Sequence, residues 1–306
     1  TIVEGAPRLI LAFFAVILAL CIYGSTKIVI DTNISGLFKD DHPLAVAVNV
    51  VDNNMAGSQD MEVMIDTKMV DGMLDVELLA AVDELQTSLE ERYPNTIGRT
   101  YSLANIVKDT NQVMNDDNPE FYRIPKSNQT VSQLLYLFNS ANPEDRRNLV
   151  SDDYSRSHIS VTSRSMGSFG YQQMFSEVDL DVEARFAHLK TAYPDLEIVL
   201  TGTMATFMVV SDEIAHSQFN GFALALVLIS LIMIITLGSL RGGVMGMIPN
   251  AIPAFLAFGL MGLLGIPLDT DTLLIAPVIL GIAVDDTIHF MTHYRVELTK
   301  SKSISI

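Results

Sequence analysis

The sequence predicts an α-helical membrane bundle of four transmembrane helices joined to an extracytoplasmic α/β domain. Three observations lead there. Four apolar segments, at about 8–28, 219–240, 243–265 and 271–294, each approach the ~20 residues that cross ~30 Å of hydrocarbon. Between the first and second lies a polar block, 31–217, with 30 Asp or Glu against 13 Lys or Arg, which carries the whole net charge of −17. Within that block the order strand, helix ending in Tyr-Pro, strand occurs twice, at 61–101 and 157–201.

The first helix falls within 1–30. Leu9–Tyr23 is short for a span, but 24–30 can extend it. Gly24-Ser25-Thr26 weakly suggests a signal-peptide processing site. Three later spans also need orienting, which favours an uncleaved helix. Cys21 is the one cysteine, so no disulfide can form within the chain, and it reads as a small apolar filler. Thr1 is not an initiator methionine and the sequence stops soon after an apolar helix, the pattern of a piece of a longer protein.

Charge orients the spans. Arg8 precedes the first, Arg241 lies in the turn between second and third, and Arg295, Lys300 and Lys302 follow the fourth. By the positive-inside rule these mark the cytoplasmic side. The acidic block and the Ile266-Pro-Leu-Asp-Thr-Asp271 turn then lie outside, with a cytoplasmic tail at 299–306.

The outer block, 31–217, reads as mixed α/β. Met61–Ile65 is a strand candidate. In Leu74–Arg92, Leu78, Val82, Leu85 and Leu89 recur on one helical face, and Tyr93-Pro94 terminates the helix. A strand at Thr96–Tyr101, a polar stretch from Asn105 to Asn128 and a short helix at Val131–Asn139 follow. Ser157–Arg164 alternates as a strand, Phe175–Tyr193 is helical and ends at Pro194, and Leu196–Thr201 is a strand. Two such units fit a pair of split βαβ modules or one ferredoxin-like sheet. Thr203–His216 is an amphipathic connector into the three-helix segment 218–298.

A domain this acidic is a poor partner for nucleic acid, whose phosphates need cationic neutralisation. It keeps a large domain soluble. There is no Gly-rich phosphate loop, nucleophile elbow or zinc-ligand pattern, so no cofactor is expected. No site with mutually reachable nucleophile, base and oxyanion donors can be assembled, which argues against an enzyme.

The chemistry is concentrated in the fourth span. Gly281-Ile-Ala-Val-Asp-Asp-Thr-Ile-His-Phe290 sets two adjacent carboxylates and a histidine in an apolar run. A charge at mid-bilayer costs roughly 2.5–3.5 kcal/mol on insertion scales, so such residues usually face a protein interior and handle protons or ions. Asp285 and His289 are four apart, Asp286 and His289 three apart, His289 and His293 four apart, which places them on one stripe. Gly281 extends it, where a partner helix could approach closely. Double ionisation of adjacent carboxylates in one cavity is unfavourable, leaving one to titrate near neutral pH. The expected relay is Asp285, Asp286 and His289, with Asn250, Thr287 and Gly281 as packing or relay partners. Asn250, between Pro249 and Pro253, could hydrogen-bond the Asp pair or belong to a kinked packing helix. Asp, Asp and His offer two or three ligands on one helix, but the other spans supply no second cluster, so no metal is expected.

The segment Gly281–Arg295 resembles the fourth-helix signature of the resistance-nodulation-division (RND) exporters, and more narrowly their MMPL and sterol-sensing-domain-like branch. The Gly265-Ile-Pro-Leu-Asp269 turn, the Pro249–Pro253 pattern and the plan of one helix, a large outer domain, then a bundle are similar too. The specific motifs lie within about 238–297. The resemblance implies a proton-driven secondary transporter of the bacterial inner membrane, its outer porter domain in the periplasm, taking hydrophobic or lipid-like cargo. It also implies two similar repeats of six helices each, so a second repeat of the same polypeptide would be a partner, besides membrane lipids; homo-oligomerisation stays open. The basic counter-charges that some members use are absent here. Two other readings stand beside the exporter: a lipid sensor without net transport, and a proton-driven accessory to protein secretion.

Overall fold

The computed structural model describes residues 7–33, 36, 38–141, 143–269 and 272–304; Thr270 and Asp271 of the expected acidic turn lie outside them. The protein is mostly helical with one small antiparallel sheet. It divides into two compact units, Asn33–Val209 and Thr1–Thr32 with Val210–Ile306.

In the polar unit the strands are β1 (Gln59–Asp66), β2 (Ile97–Tyr101), β3 (Arg156–Ser163) and β4 (Glu197–Thr201). They form one sheet in the order β2-β3-β1-β4, every pairing antiparallel. Each strand–helix–strand unit is therefore split by a strand of the other, giving one shared sheet rather than two modules. Alternation does the rest. Met61, Val63 and Ile65 of β1 and Ile159 and Val161 of β3 point to one face and are buried. That face packs against α3 (Val76–Arg92) through Leu78 and Leu85, and against α7 (Ser168–Phe186) through Tyr171 and Val178. Glu62, Met64, His158 and Ser160 occupy the other face and stay partly exposed.

The two Tyr-Pro corners lock this arrangement. Tyr93, just past α3, donates its hydroxyl to Glu177 of α7 at 2.5 Å. Tyr193 donates to Asp75, the residue capping the start of α3, at 2.8 Å. Each helix–corner thus ties one half of the unit to the other. Burial, then the Glu177 carboxylate, pushes the Tyr93 phenol up to about 12, so it stays a donor at any physiological pH.

Three helices appear where the sequence suggested loop or nothing. α2 (Pro43–Asn54) starts at a proline with His42 Nδ1 accepting from the Leu44 N–H. α4 (Leu103–Val113) occupies the polar stretch after Tyr101; Ser102 and Asn105 close a reciprocal capping box. α5 (Asn128–Ala141) is the expected short helix, lengthened at both ends, and α6 (Pro143–Arg147) follows it. α7 starts seven residues before the expected Phe175, because Ser168, Tyr171 and Phe175 continue its buried face.

The apolar unit contains α1 (Pro7–Ser25), most of α8 (Thr203–Leu237), α9 (Leu240–Leu264) and α10 (Ile275–Ile304). Two helical stretches, Thr203–Thr236 and Thr272–Phe290, are long and apolar enough to cross a membrane. The other two carry shorter apolar runs, Ala12–Ser25 and Ile252–Leu264. The connector and the second span form one 35-residue helix, since nothing between Thr203 and Leu237 breaks it. Gly238 and Gly265, both at positive φ, end α8 and α9 in the left-handed cap that glycine takes without strain. α10 runs to Ile304, past the expected end near 294, because no glycine or proline follows.

α9 packs on both α1 and α10. Against α1 the contact is made by small residues: a side chain added at Gly24, Gly259 or Gly262 would overlap backbone of the facing helix. Cys21 is buried here, beside Gly259. Without a hydrophobic driving force in lipid, close backbone approach at small residues is how membrane helices associate. The Gly259-x-x-Gly262 spacing was the available signal.

Candidate functional site

The polar cluster of the apolar unit is set by how α10 begins. Asp269 Oδ1 accepts from the Thr272 N–H at 2.7 Å, and Thr272 Oγ1 accepts from the Asp269 N–H at 2.7 Å. This reciprocal cap fixes the entry of the Thr272–Phe290 span. Asp285, Asp286, Thr287 and His289 all lie in the C-terminal half of that apolar stretch.

Thr287 faces α9. Its hydroxyl donates to Asn250 Oδ1 at 2.5 Å and lies 2.9 Å from the carbonyl of Ala283. Asn250 is fully buried. Pro249 and Pro253 flank it inside a helix that remains continuous. Its amide nitrogen has the Met247 sulfur at 3.8 Å, a weak acceptor. The expected bond from Asn250 to the Asp pair is thus replaced by one to Thr287. Helical rotation explains this: at 3.6 residues per turn, about 100° each, Asp286 sits a quarter-turn from Thr287 and Asp285 nearly opposite it.

Asp285 accordingly projects away from α9, its side chain 76% exposed, and pairs with His289 at 3.6 Å when that imidazole is protonated. Asp286 is exposed as well. The described helices therefore do not enclose the two carboxylates in a common cavity, contrary to the expectation of a shared interior. His293 is exposed one turn further on. Gly281 opens onto free space, so no described helix uses it as a close contact. Among the described residues no group of three or more His, Cys, Asp or Glu is placed to hold a metal ion.

Two cavities went unread in the sequence. One, of about 360 Å³, lies in the apolar unit between Ile28, Phe222, Phe255, Phe258 and Leu273, with Gln218 and Ser25 as its polar contacts. Near it the Asp31 N–H donates to the Leu268 carbonyl and the Leu268 N–H to the carbonyl of Val29. The other, about 530 Å³, sits on the open face of the sheet, where Tyr101, His158 and Ser160 meet Ile106, Phe138 and Leu149. Beside it Glu62 receives a hydrogen bond from Ser160 at 3.1 Å and faces His158 at 3.4 Å. Burial raises the Glu62 carboxyl above its ordinary 4.5 despite the lowering effect of His158. Both cavities are built by residues far apart in sequence, which is why local patterns did not announce them.

Residues 36–305 match the family model described as the MMPL family. The chain is also 26% identical, over 309 aligned positions, to a Methanocaldococcus jannaschii protein that its name assigns to the membrane proteins. The match covers 98% of this chain and 74% of that one.

Proposed function

The chain belongs to the MMPL family of membrane transporter-like proteins, and from that premise we propose that it serves a proton-driven exporter of hydrophobic or lipid-like molecules. Asp285 and Asp286 carry the proton, His289 assists Asp285, and the polar unit is the cargo-handling domain. The observation that carries this reading is the placement of two carboxylates within an apolar helix long enough to span a membrane. A charge there is costly and is retained where it handles protons or ions. The family assignment adds that such a protein is a transporter rather than an enzyme.

In this reading α1, α8, α9 and α10 all span the plasma membrane, with the polar unit outside; in a bacterium that is the inner membrane and the periplasm. The interleaved β4-β1-β3-β2 order, with α3 and α7 on one face, supports a ferredoxin-like porter domain. Asp285 and Asp286 face away from α9, where helices of the same or a second repeat would enclose them. The apolar cavity beside Phe222, Phe255 and Phe258 suits the hydrophobic part of a cargo molecule.

The test compares lipid composition of separated membranes from cells carrying the full-length protein, wild type or Asp285→Asn/Asp286→Asn. Build-up of one lipid class in the inner membrane of the mutant supports export and names the cargo. Matching profiles would overturn lipid export. Retained lipid binding without flux would favour the sensor reading, and accumulation of secreted polypeptide the accessory one.

A further inference from the structure

We infer that the Asn250–Thr287 hydrogen bond is the positioning contact that sets which way the aspartate pair faces. The inference rests on the proton-carrying reading above, and neither residue is assigned a proton of its own.

Asn250 is a fully buried amide in an apolar helix. Leaving such a group without a partner in hydrocarbon is expensive, so the bond to Thr287 is strongly favoured wherever α9 and α10 touch. The Thr287 hydroxyl has one proton and two neighbours, Asn250 Oδ1 at 2.5 Å and the Ala283 carbonyl at 2.9 Å. With the Asn250 amide turned over, its N–H would donate to Thr287, which would donate to Ala283; the cross-helix bond survives either assignment. What it fixes is rotation. With Thr287 against α9, Asp285 points away and keeps His289 as its partner at 3.6 Å. A roll of α10 by one residue's angle, about 100°, would bring Asp286 to Asn250 instead. Asn250 thus distinguishes two rotational states of α10, and the proline on each side of it allows α9 to adjust locally.

The experiment uses full-length protein in liposomes and an apolar carbodiimide, which reacts with protonated carboxyl groups in membranes. Adducts on Asp285 and Asp286 are counted separately by peptide mass spectrometry, from mildly acidic to mildly alkaline buffer. Wild type is compared with Thr287→Val, Thr287→Ser and Asn250→Ala, each checked for an unchanged gel-filtration profile. The expected result is a severalfold fall in the Asp286:Asp285 adduct ratio in Thr287→Val, as Asp286 rolls towards the Asn250 amide left without its partner, with the wild-type ratio restored in Thr287→Ser. Thr287→Val is nearly isosteric, and Asn250→Ala, which leaves no amide on α9 for Asp286 to meet, should not show that fall; a fall there as well overturns the role given to Asn250. An unchanged ratio in Thr287→Val, while wild-type labelling still falls as the pH rises, overturns the positioning role and leaves the proton reading intact. Wild-type labelling that ignores pH overturns the proton reading itself, and the inference with it.

Discussion

The backbone of Cys21 lies directly against Gly259, leaving no room between α1 and α9 for a side chain. Gly24 and Gly262 extend the contact one step along the crossing. Dispersion at this close backbone approach holds the pair, a contact that small residues make possible in lipid as in water.

Gly259→Leu should therefore force the helices apart. Overpacking of this kind costs about 1–3 kcal/mol, occasionally more. Gly221→Leu, at a position open to free space, should cost little in lost packing. The check is the thermal midpoint of the detergent-solubilised full-length protein. Equal midpoints for the two variants would contradict the contact.

In the polar unit, Gln86 is a buried hub. Its amide donates to Asn105 at 2.8 Å and Thr100 at 3.1 Å, and accepts from Ser102 at 2.7 Å. Ser102 in turn caps α4. Gln86→Leu keeps the volume but strands these partners, and an unsatisfied buried polar group costs about 1–3 kcal/mol. Denaturant unfolding of the full-length protein measures the ranking between wild type and Gln86→Leu, and a null difference there would refute the hub.

Much of this was written locally in the chain. The heptad-like leucines of α3, the alternation of β3 and the repeated Tyr-Pro corner each depend on near neighbours, so each could be read from spacing. The corner's purpose could not, because Glu177 and Asp75, its hydrogen-bond partners, are distant in sequence. α4 was missed because its second half, Lys108–Gln112, is entirely polar and its cap uses Asn105 where Glu or Gln is usual. At the candidate site, the aspartates and the pairing of Asp285 with His289 follow from four-residue spacing. The rotation of α10 does not: it is fixed by Asn250, 37 residues before Thr287. The wheel alone could place residues on a stripe but not say which stripe meets α9.

If Asp285 works through His289, the two aspartates should respond differently to loss of the imidazole. His289→Gln removes the partner 3.6 Å from Asp285. Under the proton-carrying reading, each Asp→Asn variant reduces export to the level of membranes lacking the protein. His289→Gln should retain export with an altered pH profile. Export measured across a pH series in cells carrying the full-length protein decides it: a profile identical to wild type would exclude His289 from the relay.

The polar unit should carry its own acid response at Glu62. Burial raises this carboxyl above its ordinary 4.5, and among the described residues its Oε2 receives no hydrogen bond. A carboxyl raised in the folded state binds its proton more tightly there than in the unfolded chain. Its ionisation therefore costs stability as the pH climbs from 4.5 through the raised folded value, and the cost persists at neutral pH. Glu62→Gln keeps an acceptor for Ser160 and removes the charge. It should raise the melting temperature at neutral pH, with the gain shrinking below 4.5, where Glu62 is itself protonated in both states. Melting curves of wild type and variant at the two pH values provide the comparison. A gain that is the same at both would mean that folding does not shift the Glu62 carboxyl, and a loss at neutral pH that fades in acid would mean that His158 at 3.4 Å outweighs burial and holds Glu62 as a stabilising anion.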